Sequence, residues 1–362
     1  MIEALADSLV TWRDKLLGRG EAAISIPTLD GACKPNRLLE DAAVLATLDS
    51  PEDLATDGTH VYVADGRRIL MLVGDRLEPI AELQGAVTAL ACLRGGGLAA
   101  AVDGRRIVVV GGSHDGVAWD SAAGKSFVSI NALSVMADGR LLATEGSARQ
   151  PYEKWCFDMM ELGSTGRLLV MNPAVPGEAV SELRSGMRYA FGCAETPSGI
   201  FVSETWKNRI VKSDAAPKAP AVVDWLPGYP CRINAASDGG WWLCAFAGRT
   251  HLIEFVLREP AFRKRMIEEV DPRYWIAPAL SSGDDFLEPL QGAHVKTRGI
   301  LKPYAPPRSY GLVIKLDAQG QPVHSYQSRL DGKHHGAVAA VECQGQLFVL
   351  AKGPRRILQI PL

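Results

Sequence analysis

Residues 188–214 read RYAFGCAETPSGIFVSETWKNRIVKSD and contain three short apolar runs separated by turns. The first run, residues 189–194, is followed by a Pro-Ser-Gly turn. The second ends at the polar pair Glu204 and Thr205, and the third begins at Arg209. Short β-rich runs interrupted by glycine and proline turns are typical of antiparallel sheet. This stretch therefore predicts three consecutive strands joined by tight turns.

The same unit recurs along the chain, with about six copies at spacings of roughly 40 to 60 residues. The other copies begin at Asp53, Ala89, Ile130, Arg232 and Ala337. A repeat of this length holds at most four short strands, which is the content of one propeller blade. One blade cannot bury both faces alone, so neighbouring blades must supply the core. The sequence predicts an all-β fold, a six-bladed β-propeller.

Composition excludes several classes of partner. The chain has 362 residues and a formal net charge of −2, so nothing favours nucleic acid or an anionic membrane. No apolar run approaches the ~20 residues that span a bilayer. Seven cysteines occur without a CxxC pair, which favours reduced, mostly buried thiols. We expect a cytoplasmic protein with a small-molecule partner, and the sequence leaves its oligomeric state open.

The N-terminus predicts a helix rather than a signal peptide, because Glu3 and Asp7 come early. Helical spacing of apolar residues predicts an amphipathic helix over residues 1–17, ended by Gly18. We expect this helix, assigned to residues 1–20, to pack against the propeller; membrane association is the alternative. Residues 21–362 then form the propeller, and residues 23–26 are expected to complete its last blade.

Two insertions interrupt the repeat, at about residues 147–165 and 257–308. The first lies in the third blade, and the second, with a helix over residues 257–270, is expected between the last two blades. The final blade is expected to begin at Ser309. A long excursion in a compact protein is usually functional. We expect both insertions to roof the central funnel with an aromatic pocket for a small organic molecule, formed by Tyr152, Trp155, Tyr274, Trp275 and Tyr304.

Several motifs together resemble the strictosidine synthase-like propellers, which are related to the gluconolactonase and paraoxonase group. They are KPNRLLEDAAVL with SPEDLA, TGRLLVMNP, FGCA followed by SETWKNRI, LPGYP followed by SDGGWW, and RSYGLVIKLDAQG. The resemblance covers roughly residues 30–362, in order. It implies a six-bladed propeller with an active site in the central funnel.

The resemblance also identifies positions at which metal-dependent relatives hold a divalent cation with oxygen ligands. The equivalent positions here are Glu52, Asn131, Phe191, Cys231 and Arg232. A phenyl ring has no lone pair to donate, and a guanidinium repels a cation. We therefore predict no metal cofactor, with calcium or another divalent cation as the alternative. Strictosidine synthases use a glutamate in the last blade, where this chain has Val338, so that activity is not predicted.

Three polar residues are candidates for chemistry at the funnel. Glu52 heads an inner strand, and an apolar funnel would raise its pKa toward that of a usable acid or base. Arg232 needs an anion, which is either Glu52 or a substrate carboxylate or phosphate. Asn131 either orients substrate or ties blades together. The structural alternative is that Glu52 and Arg232 form an ion pair that lines the central channel.

Further candidates have stronger structural alternatives. Cys231 is a possible nucleophile beside Arg232, although cysteine is commonly a small core residue. His335 is a possible general base, with a solvated loop as the alternative. Glu204 closes a second strand, as do Asp65, Asp103 and Glu145, and this repetition favours a structural role in turns. Because Trp206 is only two residues away, we expect Glu204 to be the exception and to bind substrate together with Trp206.

Three functions are consistent with these residues. The first is a metal-independent enzyme that performs ester or lactone hydrolysis, or a related lyase or condensation step. The second is a non-catalytic ligand-binding or scaffold propeller. The third is a metal-dependent lactonase with a shifted ligand set. No GxSxG, Walker or HExxH motif occurs to decide between them.

Overall fold

The protein is a six-bladed β-propeller, seen in a computed structural model that describes residues 26–216, 219–283, 287–288, 296–297, 300–301 and 308–362. The first three blades each have four antiparallel strands. Blade 1 comprises Pro51–Thr56, Val61–Asp65, Arg68–Val73 and Arg76–Glu82; blade 2 comprises Val87–Cys92, Leu98–Val102, Arg106–Val110 and Ala118–Trp119; and blade 3 comprises Ile130–Val135, Leu141–Glu145, Gly166–Met171 and Ser181–Met187.

Blade 4 comprises Ala190–Thr196, Gly199–Glu204 and Arg209–Lys212; blade 5 comprises Gly228–Ala235, Trp241–Gly248, Leu312–Leu316 and Pro322–Gln327; and blade 6 comprises Ala337–Cys343, Gln346–Ala351, Arg356–Pro361 and Ala43–Thr47. Two small hairpins lie outside the blades, at Ser121–Ala122 with Lys125–Ser126 and at Lys296–Thr297 with Ile300–Leu301. The six repeat copies predicted from the sequence are the six inner strands, so the predicted fold class is confirmed.

The ring closes through a strand that precedes blade 1 in the chain. Ala43–Thr47 pairs antiparallel with Arg356–Pro361 and completes blade 6, so blade 6 contains both ends of the propeller. This arrangement pairs an edge that would otherwise be open. The strand in this place is Ala43–Thr47, about twenty residues later than predicted, and residues 23–25 of the predicted segment lie outside the described residues. The predicted helix over residues 1–17 lies outside the described residues.

Burial follows the position of each strand in its blade. The inner strand Val87–Cys92 is apolar along most of its length and buried, because neighbouring blades cover both of its faces. The outer strand Arg76–Glu82 is mostly exposed. Side chains on the inner strands, and Ser203 on the second strand of blade 4, also bond to the main chain of the next blade, with Leu90 N–H to Asp53, Thr88 to Ile130, Asn131 to Ala190, Ser203 to Cys231, and Asn234 to Ala340.

Four acidic side chains repeat one structural device at the entrance to an inner strand. Asp65, Asp103, Glu145 and Glu204 each close a second strand and accept a main-chain N–H just before the neighbouring inner strand. These N–H groups belong to Ser50, Ala86, Val128 and Arg188, at 2.7, 2.8, 2.7 and 2.9 Å. A carboxylate satisfies a main-chain donor that the sheet leaves unpaired. Glu204 therefore has the same structural role as the other three acids, and its predicted substrate contact stays a prediction.

The first insertion lies within blade 3, as expected. It contains a 3-10 turn at Tyr152–Lys154 and helix α1, Trp155–Met160. Phe157 in α1 packs edge-on against Trp275 of the second insertion, with ring centroids 4.5 Å apart. The two insertions therefore contact each other on one face of the propeller.

The second insertion lies inside blade 5, between the strands that end at Gly248 and begin at Leu312. Its position between the last two blades was therefore mispredicted, and blade 6 begins at Ala337 rather than Ser309. Two helices replace the one that was predicted. Helix α2, His251–Arg258, begins at Thr250, whose hydroxyl accepts the Ile253 N–H, and helix α3, Pro260–Glu269, has proline in its first turn. In the described part of the chain, no helix has the length and apolar character to cross a membrane.

Candidate functional site

Each inner strand has an irregularity at the same point in its pairing with the second strand. In blade 1 the register shifts between Pro51 and Asp53, which isolates Glu52. The corresponding residues in the other blades are Thr88, Asn131, Phe191 with Gly192, Cys231 with Arg232, and Val338. A β-bulge re-aims the side chain and carbonyl of its residue. The positions identified from the sequence repeat are thus structurally equivalent, and Thr88 completes the set.

The carbonyl groups of three bulged residues converge on Arg232. One terminal nitrogen of its guanidinium donates to Thr88 O at 2.7 Å and to Asn131 O at 2.8 Å. The other donates to Val338 O at 3.4 Å. These acceptors belong to blades 2, 3 and 6, so a side chain from blade 5 joins oxygens from around the ring.

Asp53 supplies the negative charge that the buried guanidinium requires. Its Oδ1 lies 3.0 Å from Arg232 Nε, and both side chains are almost fully buried. The same carboxylate accepts the N–H groups of Leu54 and Leu90. Burial raises the pKa of Asp53, while Arg232 and the two amides counteract part of that rise. The anion beside Arg232 is therefore Asp53, which corrects the expectation of Glu52 or a substrate.

A narrow aromatic cavity lies beside this ring of bulges; about 350 Å³ is free of atoms when its open mouth is counted, and the space that can hold the centre of a water-sized sphere is about 20 Å³. Its lining combines three blades and both insertions, and comprises Tyr152, Trp155, Tyr189, Phe191, Trp206, Phe246, Leu280, Val338 and Lys352. Phe191 separates the cavity from the guanidinium, because the Arg232 Cζ lies 5.1 Å from the Phe191 ring centroid. Its lining is largely apolar, and this chemistry favours an apolar ligand group.

Glu52, Tyr152 and Lys352 form a polar cluster at this cavity. Glu52 Oε2 accepts the Tyr152 hydroxyl at 2.6 Å and lies 2.5 Å from Lys352 Nζ. Burial, and then Glu52, raise the pKa of Tyr152 well above its usual value, so the phenol stays protonated and donates. The Lys352 ammonium also lies 5.4 Å from the Tyr152 ring centroid. One carboxylate, one ammonium and one phenol therefore meet beside a wall that is otherwise mostly apolar.

The aromatic wall is held in place by a buried acid. Trp206 donates its indole N–H to Asp158 Oδ1 at 2.9 Å, and its ring packs 4.6 Å from Tyr189. Burial raises the pKa of Asp158, while its hydrogen bonds counteract part of that rise. Because Asp158 belongs to α1, this bond connects the first insertion to blade 4. Tyr189 has a φ of 62°, an unusual backbone conformation for a bulky residue.

Leu280 brings the second insertion over the cavity. Its carbonyl passes so close to blade 6 that a Cβ on Gly353 would lie 2.3 Å from the Leu280 oxygen. Gly336, at a φ of +69°, leaves 2.8 Å to the same oxygen. The two glycines thus permit the close approach by which the insertion covers this part of the ring.

Of the predicted site residues, Tyr152, Trp155, Phe191 and Trp206 line the cavity, and Glu52 contacts two of its lining residues. Asn131 is fully buried; its amide donates to Ala190 O at 2.9 Å and its carbonyl accepts the Thr144 hydroxyl at 2.7 Å. This matches the inter-blade alternative that the sequence left open for Asn131.

Four other candidates do not reach the cavity. The Cys231 thiol is buried against main-chain carbonyls, the nearest being Cys244 O at 3.3 Å, as expected for a core residue. His335 is buried, with Nδ1 2.6 Å from the Ser309 hydroxyl and Nε2 2.8 Å from Arg329 O, rather than in a solvated loop. The other two are the aromatic residues Trp275 and Tyr274. Trp275 donates its indole N–H to Val270 O within the core, and the Tyr274 ring packs against the Arg273 guanidinium. The predicted pocket residue Tyr304 lies outside the described residues.

Sequence reasoning missed Lys352 and Asp53. Lys352 follows the second strand of blade 6 at the register position that Asp103 occupies in blade 2, so the repeat itself could have identified it. Asp53 is adjacent to the bulge, and only the strand geometry shows that its carboxylate turns toward Arg232. In the described parts of the chain, no group of three or more His, Cys, Asp or Glu side chains is placed to bind a metal.

Comparisons with known proteins give the same fold. No family model matches the chain. It is 26% identical over 344 residues to the adipocyte plasma membrane-associated protein of Salmo salar, covering 87% of this chain and 75% of that protein. It is 29% identical over 148 residues to Protein STRICTOSIDINE SYNTHASE-LIKE 7 of Arabidopsis thaliana, covering 40% and 39%.

Among solved structures, a gluconolactonase from Xanthomonas campestris has a TM-score of 0.57 at 17% identity, covering 93% of this chain and 97% of its own. A putative gluconolactonase has a TM-score of 0.55 at 16% identity, with 88% and 91% covered. The resemblance to strictosidine synthase-like and gluconolactonase-type propellers, predicted from the sequence, is confirmed.

Proposed function

We propose that this propeller is a metal-independent enzyme that hydrolyses a small, largely apolar ester or lactone in the aromatic cavity. The observation that supports it is the Glu52 carboxylate, held by Tyr152 at 2.6 Å and by Lys352 at 2.5 Å beside a wall built otherwise from aromatic and aliphatic side chains. The relatives named as strictosidine synthase-like and gluconolactonase are consistent with an enzyme acting on a small molecule.

The cluster provides a base and an electrophile for acyl transfer to water. Both contacts are made to Glu52 Oε2, and within the described chain no hydrogen bond is made to Oε1, which is free to accept a water proton. The resulting hydroxide attacks the acyl carbon, and the Lys352 ammonium stabilises the oxyanion that forms. When the carbon–oxygen bond breaks, the proton on Glu52 passes to the leaving alkoxide. The products are a carboxylic acid and an alcohol.

The proposal of metal-independent chemistry is supported because the candidate metal ligands already bond to other protein groups. The carboxylate oxygen of Glu52 is already paired with an ammonium, and both ends of the Asn131 amide are bonded, one to Ala190 of blade 4 and the other to Thr144 of its own blade. Arg232 places a permanent positive charge where the neighbouring carbonyls converge. A divalent cation would have to displace all of these contacts, and like-charge repulsion from the guanidinium would oppose it.

A non-catalytic binding protein is the second candidate. The Phe191 side chain lies between the cavity and Arg232, so Arg232 cannot take part in chemistry there, and Glu52 is the carboxylate that remains beside the cavity. Para-nitrophenyl acetate, para-nitrophenyl butyrate and dihydrocoumarin are suitable probes for separating the two functions. Hydrolysis is measured with wild type, Glu52→Gln and Lys352→Met, with EDTA present throughout.

We expect turnover by wild type and a loss of about a hundredfold or more in kcat for Glu52→Gln. Glu342→Gln is the matched control. Glu342 is a partly buried acid at the other end of an inner strand, where it accepts N–H groups from Trp242 and Ser237. Turnover by this variant should equal that of wild type. Saturable binding of the probes without turnover would establish the binding protein instead. Equal turnover by wild type and Glu52→Gln would overturn the assigned role of Glu52.

A further inference from the structure

The oxygens around Arg232 form an inward-facing cage on the propeller axis. Three of the ligands are main-chain carbonyls of bulged residues, from Thr88, Asn131 and Val338. The fourth is the Asp53 carboxylate, 3.0 Å from Nε. Each main-chain carbonyl presents the negative end of a permanent dipole, and a buried carboxylate needs a counter-charge. This arrangement therefore requires a cation.

The size of the cage fits a planar organic cation. An oxygen that accepts from a guanidinium nitrogen at about 2.8 Å lies about 3.6 Å from the central carbon. A calcium ion requires oxygens at about 2.3–2.6 Å. The observed oxygens would therefore have to move inward by about 1 Å, although three of them are main-chain atoms fixed by the bulges of three inner strands and the fourth is on a side chain of another inner strand.

The cage is also closed on the cavity side. The Phe191 ring covers the guanidinium with 5.1 Å between the Arg232 Cζ and the ring centroid. The Gly192 position shows how tightly blades 4 and 5 meet here, because a Cβ on it would lie 2.3 Å from Cys231 O. Arg232 is thus held in a sealed compartment beneath the aromatic cavity.

We infer that the axis of this propeller is a cation-binding site selective for guanidinium, and that Arg232 is its covalently attached occupant. The site is distinct from the Glu52 cluster, and the inference does not rest on the proposed hydrolysis. It predicts that removal of the side chain leaves a cage that free guanidinium or methylguanidinium re-enters.

The test is chemical rescue of Arg232→Ala, followed by thermal unfolding. Guanidinium chloride at millimolar concentrations should raise the Tm of Arg232→Ala in a saturable manner, while it leaves wild type unchanged or slightly lowered. Calcium chloride and sodium chloride at matched ionic strength should have little effect. The double variant Asp53→Asn, Arg232→Ala keeps the carbonyls but lacks the anionic ligand, so its response to guanidinium should be much weaker.

Two results would overturn the inference. One is a Tm of Arg232→Ala that does not respond to guanidinium or methylguanidinium. The other is rescue by calcium equal to or larger than rescue by guanidinium, which would assign the cage to a metal. If Arg232→Ala is insoluble, refolding yield from urea is measured with and without guanidinium, and an equal yield counts against the inference in the same way.

Discussion

Glu204→Gln separates a structural acid from a substrate-binding one. Its carboxylate accepts Arg188 N–H at 2.9 Å and lies 2.8 and 2.6 Å from two nitrogens of Arg209. A glutamine can still accept the Arg188 N–H but presents no charge to the guanidinium. Hydrogen bonds to charged groups contribute about 1.5–3 kcal/mol each. The Arg209 side chain is 23% exposed, so water recovers part of that loss.

We therefore expect Glu204→Gln to lower the free energy of unfolding by about 2 kcal/mol. The assay is urea denaturation followed by tryptophan fluorescence and by circular dichroism. Glu178→Gln is a matched control at an exposed glutamate, and its effect should stay within about 0.5 kcal/mol. Turnover on any identified ester should be unchanged by Glu204→Gln. Full stability combined with lost turnover would refute the assignment of Glu204 to the structural device.

Three further changes follow from the geometry. Gly192→Ala should lower the Tm by several degrees, because the new Cβ would lie 2.3 Å from Cys231 O and the φ of +143° disfavours any side chain; a Tm equal to wild type would contradict this close approach. Asp158→Ala should lower the free energy of unfolding by about 1–3 kcal/mol and shift the Trp206 fluorescence, whereas Asp158→Asn, which keeps an acceptor, should do so less. Burial lowers the pKa of His335 in the folded protein. As the pH falls below about 6.5, the unfolded chain therefore binds the proton first, and the free energy of unfolding decreases. Between pH 7 and 5, the free energy of unfolding of His335→Gln should decrease less than that of wild type, and an equal slope would count against a buried neutral His335.

The repeat was readable because every blade begins with the same strand pattern. Alignment of the copies placed Glu52, Asn131 and Phe191 at equivalent positions, and the register of each inner strand agrees. The blade boundaries were less readable where insertions interrupt a blade. The strand at Leu312–Leu316 pairs with Trp241–Gly248, far back in the sequence, so local pattern gave no sign that both belong to blade 5.

The chemistry of the axis was hidden for a different reason. The acceptors for Arg232 are mostly main-chain carbonyls, which every residue has, so side-chain identity at Thr88 and Val338 carries no signal for them. Asp53 and Glu52 are neighbours on one strand, and the bulge alone decides that Asp53 pairs with the guanidinium while Glu52 meets Lys352. A sequence reading therefore gives the ring of positions but not the direction in which each group faces.

The most direct measurement is turnover after exhaustive chelation, with metal content determined by mass spectrometry on the same preparation. Under the proposed assignment of Arg232 as the axial cation and Glu52 as the base, we expect kcat/KM to be unchanged by EDTA and metal to be far below one ion per chain. A loss of activity on chelation that calcium or another divalent cation restores would contradict the account.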